Sequence, residues 1–193
     1  MRIAVDIDDT LNIVDRVGRT MAYVKRKGLP FKVINERANW FLHVLDWGEE
    51  DVAEFMREGG LSAFTEAEAR KGAREALTRL RKEGHEIIIL TARHQAWFGN
   101  PTMLSRDWLE KRKIPFDQIV AEINEKGKYC KEHGISILVD DSPEHLREAM
   151  SYGVNTVLAV GKHNVEFVHE FPYFGENWKQ IDEAVHRIIA LQG

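Results

Sequence analysis

The stretch MRIAVDIDDTLN, residues 1–12, joins an apolar run to a group of carboxylates. The run Ile3 to Val5 predicts a strand buried in a sheet. Asp6, Asp8 and Asp9 follow it, and side chains two apart on a strand point to the same side, so Asp6 and Asp8 are expected to project together if the extended backbone continues. Two neighbouring carboxylates repel each other unless a proton or a cation lies between them. The stretch therefore indicates either a metal site or a carboxyl group whose pKa is shifted so that it can act as an acid. A polar turn that only closes the strand stays open as the alternative.

Strands alternate with helical patterns along most of the chain. Further strands are predicted over residues 86–91, 118–121, 135–139 and 154–160. A capping-box pattern at Thr65 and Glu68 predicts a helix start, Asn124 is a candidate helix cap, and Ser142-Pro143 is typical of a first helical turn. The aromatic stretch Phe167 to Trp178 is expected to cover the sheet edge. This alternation predicts an α/β fold, in which a Rossmann-like parallel sheet is flanked by helices.

Residues 13–66 show helical spacing and no strand signal. We therefore expect a small helical cap over 13–66, inserted after the first strand of a core domain formed by 1–12 and 67–193. Its aromatic residues Trp40, Phe41 and Trp47 are of the kind that stacks on a nucleobase. Such residues more often form the core of a small lobe.

Composition excludes several classes of protein. The chain has 193 residues, 44% of them hydrophobic, with 27 basic and 31 acidic side chains and a formal net charge of −4, which offers no basic surface to duplex nucleic acid or to an anionic membrane. Cys130 is the single cysteine, so no intrachain disulfide can form, and this is typical of proteins from a reducing compartment. No signal segment or membrane span is evident, and a cytoplasmic protein is expected. Homodimer formation stays open.

Four predicted strands end in residues that suit a metal ion and a phosphate group. They are Asp6 with Asp8, then Thr91-Ala92-Arg93, then Lys126 or Lys128, and finally Asp140 with Asp141. Sites in open parallel sheets form beyond the carboxyl ends of the strands, so these side chains are expected to meet.

This set of motifs resembles the haloacid dehalogenase (HAD) superfamily of phosphatases, which use an aspartate nucleophile. DIDDTL matches the first motif, Thr91 the second, a lysine before a helix the third, and VDDSP the acidic fourth. The helical insert lies where such a family carries its cap. Within the superfamily the chain is most similar to the 5′(3′)-deoxyribonucleotidase branch and its bacterial relatives.

The resemblance, together with the chemistry of the side chains, implies a reaction and a cofactor. Asp6 would attack phosphorus and form an aspartyl-phosphate, and Asp8 would act as acid and base. Mg²⁺, which prefers hard oxygen ligands, would bind Asp6, the backbone carbonyl of Asp8 and Asp140, with Asp141 on a bound water or beside the ion. The expected substrate is a small phosphomonoester, with a nucleoside monophosphate favoured over a sugar phosphate.

Phosphate oxygens would be held by Thr91, by the amide of Ala92 and by a lysine, and Arg93 is a further candidate. The sequence alone leaves Lys126 and Lys128 open as the active-site lysine, with a slight preference for Lys126. The chain departs from the nucleotidase branch at Asp9, where that branch usually has glycine, and at Ala92, where it usually has serine.

Two rival interpretations are open. A phospho-acceptor module of the receiver type combines similar residues, but there the phosphorylated aspartate lies on a middle strand and the acidic pair on the first, the reverse of the order here. A relative that binds phosphorylated ligands without turnover is less favoured, because Asp8 retains the type of side chain that acid–base catalysis needs.

Overall fold

The computed structural model describes residues 1–30, 32–35 and 45–192. Trp40 and Phe41, two of the three aromatic residues considered for the cap, lie outside the described residues. The chain divides into two compact units, one formed by Met1–Ile13 with Ala69–Gly193 and the other by Val14–Glu68.

The larger unit is built on a parallel sheet of six strands, in the order β5-β4-β1-β6-β7-β8. The predicted parallel sheet flanked by helices is thereby confirmed. In chain order the strands are β1 (Arg2–Val5), β2 (Asn12–Ile13), β3 (Glu68–Ala69), β4 (Glu86–Leu90), β5 (Gln118–Val120), β6 (Ile137–Asp140), β7 (Asn155–Ala159) and β8 (Phe174–Gly175).

Helices alternate with these strands. They are α1 (Arg16–Lys27), α2 (Glu49–Phe55), α3 (Ser62–Thr65), α4 (Ala73–Lys82), α5 (Gln95–Phe98), α6 (Pro101–Lys111), α7 (Lys126–Glu132), α8 (Pro143–Ser151) and α9 (Trp178–Gln192). A π-helical turn (Met56–Gly60) follows α2, and a 3₁₀ helix (Val165–Glu170) precedes β8. Among the described helices, none combines the length and the apolar composition that crossing a bilayer requires.

Alternate residues of the strands pack on opposite faces of the sheet. Ile3 and Val5 of β1 lie in a buried cluster with residues of α4, α6 and α9. Ala4, between them, lies in a second cluster with residues of α7 and α8. The period of two along a strand therefore explains why helices cover both faces and why nearly every residue of β1 is apolar.

The register of the sheet brings the ends of three strands level. Val5 pairs with Ile89 of β4 and with Val139 of β6, so the residues after these positions emerge side by side. The backbone N–H of Asp6 continues the ladder by donating to the carbonyl of Val139 over 3.0 Å. The chain then leaves the strand direction, because the N–H of Leu11 donates to the carbonyl of Ile7.

The smaller unit is helical in the part that the structure describes. Asp15 caps the start of helix α1, and its carboxylate accepts a hydrogen bond from the N–H of Gly18. Gly28 caps the end of the helix in the left-handed conformation, φ 65°. The ring of Trp47 lies against Tyr23 and Phe55, with centroid distances of 5.9 and 5.6 Å. Trp47 thus packs with other side chains of its own lobe.

Two predicted helix starts are wrong. No helix begins at the Thr65–Glu68 pattern: residues 68–69 are extended, the N–H of Arg70 donates to the carbonyl of Leu11, and α4 begins only after Gly72. Asn124 does not cap α7, which begins at Lys126. Its first amides, of Gly127 and Lys128, instead donate to the carboxylate of Glu148 on α8 over 3.0 and 3.2 Å.

The stretch before α9 contributes a strand that the sequence did not predict. Phe174–Gly175 forms β8, the edge strand beside β7, and Phe171 is buried among the residues of the second cluster. A strand of two residues is too short to show an alternating pattern. The predicted strands β1, β4, β5, β6 and β7 lie within two residues of their predicted bounds. Ser142 caps α8 as predicted, accepting a hydrogen bond from the N–H of His145.

Gly127 permits the close approach of α7 to α8 that places the neighbouring Lys126. A Cβ atom added at Gly127 would lie 2.6 Å from both the backbone N and the Cα of Ala149. We predict that Gly127→Ala lowers the free energy of unfolding by about 1–3 kcal/mol, because backbone atoms must move. Gly48→Ala is the matched control, since its added Cβ meets nothing nearer than 3.7 Å. Urea unfolding measures both, and equal effects would contradict the explanation.

Candidate active site

The centre of the candidate site is a buried lysine between two carboxylates. The Nζ atom of Lys126 donates to Asp6 over 2.7 Å and to Asp140 over 2.6 Å. Asp6 follows β1, Asp140 ends β6, and Lys126 is the first residue of α7, so three separate elements meet here. All three side chains are at least nine-tenths buried. Lys128, two residues further along α7, is exposed and pairs with Glu125 over 3.6 Å.

Asp141 lies beside this centre with partners of its own. Its carboxylate contacts Nε2 of His163 at 2.7 Å and accepts a hydrogen bond from the hydroxyl of Thr10 at 3.3 Å. Its backbone carbonyl accepts a hydrogen bond from the side-chain amide of Asn164 at 2.6 Å. Residues after β1 and β7 therefore hold Asp141 in place.

Asp8 faces a different set of partners from Asp6, because the chain turns after β1 rather than continuing as a strand. Its two carboxylate oxygens accept hydrogen bonds from Nε and Nη2 of Arg93, at 2.8 and 2.6 Å. The side-chain amide of Asn12 donates to the same carboxylate over 3.0 Å. Asp9, the next residue, has φ 62°, a conformation that glycine adopts freely and that aspartate tolerates.

The segment after β4 supplies the remaining predicted residues. Thr91 is buried, its N–H donates to the carbonyl of Val120, and its hydroxyl accepts a hydrogen bond from the N–H of Arg93 at 3.3 Å. Ala92, between them, is half-buried. Because Val5 pairs with Ile89, this segment leaves the sheet next to the Asp6 segment.

The titration of the carboxylates is set by burial and by their unequal access to cations. Burial, opposed by Lys126 and reinforced by Asp140, raises the pKa of Asp6 to about 7. Burial would also raise that of Asp140, but Lys126 and His145 hold the pKa of Asp140 below its ordinary value. Asp140 also accepts a hydrogen bond from the N–H of Ser142 at 2.8 Å. Asp140 thus carries the negative charge and Asp6 lacks enough compensation to ionise freely.

Three of these carboxylates suit a divalent cation. One oxygen from each of Asp6, Asp140 and Asp141 lies within 4.8 Å of the others, and all three residues are buried. Burial raises the pKa of Asp141 too, despite its hydrogen bond with His163. Lys126 pairs with Asp6 and Asp140, and one ammonium group does not balance three carboxylates. A hard divalent cation such as Mg²⁺ therefore fits both the ligand type and the missing charge. The side chain of Asp8 is not in this group.

Sequence reasoning did not assign two histidines that lie at this centre. His163 contacts Asp141, and its ring nitrogen also lies within 4.8 Å of the carboxylate oxygens of Asp9 and Asp141. His145, in the first turn of α8, lies 3.4 Å from Asp140, and despite burial its pKa is raised by that carboxylate. Spacing along the chain holds no signal for His163, whereas the position of His145 three residues after Ser142 places it in a helical first turn.

Arg70 was also not assigned. Its guanidinium donates to the backbone carbonyls of Asp9, Val160 and Glu176 at 3.0, 3.0 and 2.8 Å. It thereby joins the segments that follow β1, β7 and β8. The indole N–H of Trp178 adds a buried hydrogen bond of 2.9 Å to the carbonyl of Thr10. A lone arginine within a predicted helix gives no sign of such contacts in the sequence.

Comparison of the fold with solved structures finds haloacid dehalogenase-like hydrolases. A hydrolase of that family from Streptococcus pneumoniae superposes with a TM-score of 0.65 at 14% identity, covering 100% of this chain and 98% of that one. A predicted phosphatase from Clostridium acetobutylicum has a TM-score of 0.65 at 14% identity over 96% and 98% of the two chains. A candidate β-phosphoglucomutase from Thermotoga maritima has a TM-score of 0.65 at 15% identity over 96% and 98%.

No family model matches the sequence, and no curated protein matches it. At these identities the structural similarities show the fold alone. The chain therefore has the α/β fold of haloacid dehalogenase-like hydrolases, and the resemblance inferred from its motifs is confirmed at the level of the fold.

The raised pKa of Asp6 predicts how the stability of the metal-free protein depends on pH. In the folded state this pKa is about 7, against 3.8 ordinarily, so stability falls as pH rises between these values, because the ionised carboxylate of the unfolded chain must take up a proton on folding. Between pH 5 and pH 8 the Tm of Asp6→Asn should therefore rise relative to the Tm of the parent protein, by about 3 °C or more. Thermal unfolding in a chelating buffer measures this difference.

The same variant tests the cation. At pH 8, Mg²⁺ should raise the Tm of the parent protein, because a bound ion stabilises only the folded state. It should leave the Tm of Asp6→Asn nearly unchanged, because the variant lacks one of the three carboxylates that suit the ion. A difference in Tm that is independent of pH, or an equal response of both proteins to Mg²⁺, would contradict the assignment.

Proposed function

We propose that this protein is a Mg²⁺-dependent phosphomonoester hydrolase that works through an aspartyl-phosphate on Asp6. The observation that carries the proposal is the meeting of Asp6, Lys126, Asp140 and Asp141 at the carboxyl ends of β1 and β6. A nucleophilic carboxylate, a buried cation and two further carboxylates form a set that suits the transfer of a charged phosphoryl group.

In the first step an oxygen of Asp6 attacks phosphorus and the bond from phosphorus to the ester oxygen breaks. Asp8 in its acid form gives a proton to the leaving oxygen. In the second step Asp8 takes a proton from water, the water oxygen attacks phosphorus, and the bond to Asp6 breaks, which restores both carboxyl groups and releases inorganic phosphate.

The remaining residues bind and orient. Lys126 holds one oxygen of Asp6 in place and offsets negative charge near the phosphoryl group. The hydroxyl of Thr91 and the amide of Ala92 bind the oxygens of the phosphoryl group. Asp6, Asp140 and Asp141 would hold Mg²⁺, with the backbone carbonyl of Asp8 as a further ligand. When bound, the ion supplies positive charge that favours the ionised form of Asp6 and stabilises the charge on the transferring group.

For the substrate we propose a small phosphomonoester, with two classes in view. A nucleoside monophosphate is favoured by the likeness of the DIDDTL and VDDSP motifs to the nucleotidase branch. A sugar phosphate is favoured by the structural similarity to a protein named as a candidate β-phosphoglucomutase. The kcat/KM values for a panel of nucleoside monophosphates and sugar phosphates, measured with Mg²⁺, rank the two classes.

The direct test of the mechanism is trapping of the phosphorylated enzyme. Acid quenching during turnover of a radiolabelled aryl phosphate should leave label on the protein that hydroxylamine releases, because an acyl phosphate is sensitive to that nucleophile. Asp6→Asn should lose the label and at least about 10³-fold of the turnover. Asp107→Asn, at an exposed position of α6, is the matched control and should retain both. Full turnover in Asp6→Asn would remove the nucleophile from the proposal.

The choice between the two lysines is tested by a pair of substitutions. Lys126→Ala should lower kcat/KM by about 10²-fold or more, because a buried cation that contacts two carboxylates is lost. Lys128→Ala should change it less than about twofold, since the exposed Lys128 pairs with Glu125. The ratio of the two kcat/KM values decides, and a larger loss in Lys128→Ala would reverse the assignment.

A further inference from the structure

Arg93 binds Asp8 through two parallel hydrogen bonds, one to each carboxylate oxygen. Nε donates to one oxygen over 2.8 Å and Nη2 donates to the other over 2.6 Å. This fork-to-fork geometry fixes the plane of the carboxylate as well as its distance. Asn12 adds a third hydrogen bond, 3.0 Å long, to one of the same oxygens.

The guanidinium of Arg93 is enclosed by its own surroundings. The side chain is 1% exposed, whereas that of Asp8 is 15% exposed. Nη1 donates to the hydroxyl of Ser105 on α6 over 3.2 Å, and the ring centroid of Phe98 lies 5.3 Å from Cζ. The partner that reaches solvent is therefore the carboxylate, and Arg93 acts through Asp8.

The backbone of Arg93 is held as firmly as its side chain. Its N–H donates to the hydroxyl of Thr91 over 3.3 Å, and its carbonyl accepts a hydrogen bond from the N–H of Glu122 over 3.1 Å. With its side chain 1% exposed and paired with Asp8, the guanidinium offers little surface to a substrate phosphate. This arrangement speaks against the direct phosphate contact that the sequence had indicated for Arg93.

We propose that Arg93 is a positioning residue that aims the carboxyl group of Asp8 at the leaving oxygen. The inference rests on the proposed function, in which Asp8 protonates that oxygen. A bidentate arginine fixes one rotamer of the carboxyl group, and the contacts with Ser105 and Phe98 fix the arginine. Lysine cannot replace it, because a point charge on a flexible stem does not define the plane of a carboxylate.

The role predicts a dependence on the leaving group. A leaving group of low pKa, such as 2,4-dinitrophenolate, departs without a proton, whereas an alkoxide needs one from the acid. Loss of positioning should therefore slow the hydrolysis of alkyl phosphates and leave the hydrolysis of 2,4-dinitrophenyl phosphate nearly unchanged. Loss of a phosphate-binding cation would instead slow every ester alike and weaken the binding of inorganic phosphate.

The experiment measures kcat/KM of Arg93→Gln and Arg93→Lys with 2,4-dinitrophenyl, 4-nitrophenyl, phenyl and ethyl phosphate. We expect a loss of about 10²-fold with ethyl phosphate, within the usual range of general acid catalysis, and of less than about threefold with the dinitrophenyl ester. The inhibition constant of inorganic phosphate should change less than about threefold. A uniform loss across the series, or a weakened phosphate constant, would overturn the inference.

Two further variants separate positioning from simple damage. In the Asp8→Asn background, Arg93→Gln should cause no further loss with ethyl phosphate, because the two residues act as one unit. Arg81→Gln is the matched control, since Arg81 also pairs with both carboxylate oxygens of an aspartate, Asp117, through Nε at 3.1 Å and Nη2 at 2.6 Å. It should leave the leaving-group dependence unchanged, and independent losses in the double variant would contradict the inference.

If the Arg93 variants fail to fold, Ser105→Ala gives the same information. It removes the hydroxyl that supports Nη1 and leaves Asp8 and Arg93 in place, so a milder loss that still grows with leaving-group pKa is expected, and a uniform loss or no loss would overturn the inference. Parent protein that hydrolyses no ester in the series would refute the proposed function and this inference with it. If the parent protein hydrolyses these esters but the loss of kcat/KM in the variants does not depend on the leaving-group pKa, the inference alone is refuted.

Discussion

The ammonium group of Lys126 is the contact on which the site depends. It lies between Asp6 and Asp140, is almost fully buried, and joins the ends of β1 and β6 to the start of α7. Burial alone would lower its pKa, but the two carboxylates raise the pKa of Lys126 above its ordinary value. Removal of one partner from such a buried group commonly costs about 3–5 kcal/mol, since the other charges stay without compensation. Gly127 makes the arrangement possible by letting α7 approach the backbone of α8.

The environment then gives each carboxylate a different state. Asp140 has Lys126, His145 and a backbone amide nearby, and it holds its charge. Asp6 has the same lysine but more negative neighbours, so its pKa rises to about 7. Asp8 is turned away toward Arg93. One short acidic segment thus offers a nucleophile whose ionisation depends on added positive charge and, two residues later, a carboxyl group with separate support.

Much of this arrangement was predictable from the sequence because it follows from topology. Parallel strands alternate with helices, their carboxyl ends share one edge, and Asp6, Thr91 and Asp140 each stand directly after or at the end of an apolar run. The fold class and the meeting of these segments follow from those facts. The change in apolar period near residue 13 is the basis for predicting a core and an inserted unit.

What was not predictable depends on contacts between distant residues. The register of α7, which decides between Lys126 and Lys128, is set by Glu148 on the following helix. The partner of Arg93 depends on the turn that redirects Asp8, and a helix pattern extends through residues 65–72 although Arg70 ties that segment to Leu11. Two-residue strands such as β8 carry no period at all. For residues 65–72 a tertiary hydrogen bond outweighed a local helical preference.

The most direct measurement is a crystal structure of the protein grown with Mg²⁺ and beryllium fluoride, which binds aspartate as a mimic of a phosphoryl group. We expect beryllium bonded to a carboxylate oxygen of Asp6, a metal ion beside Asp140, and the ammonium group of Lys126 next to the fluorides. An adduct on Asp8, or a metal held by Asp9 and His163 with no contact to Asp6, would contradict the proposed role of Asp6.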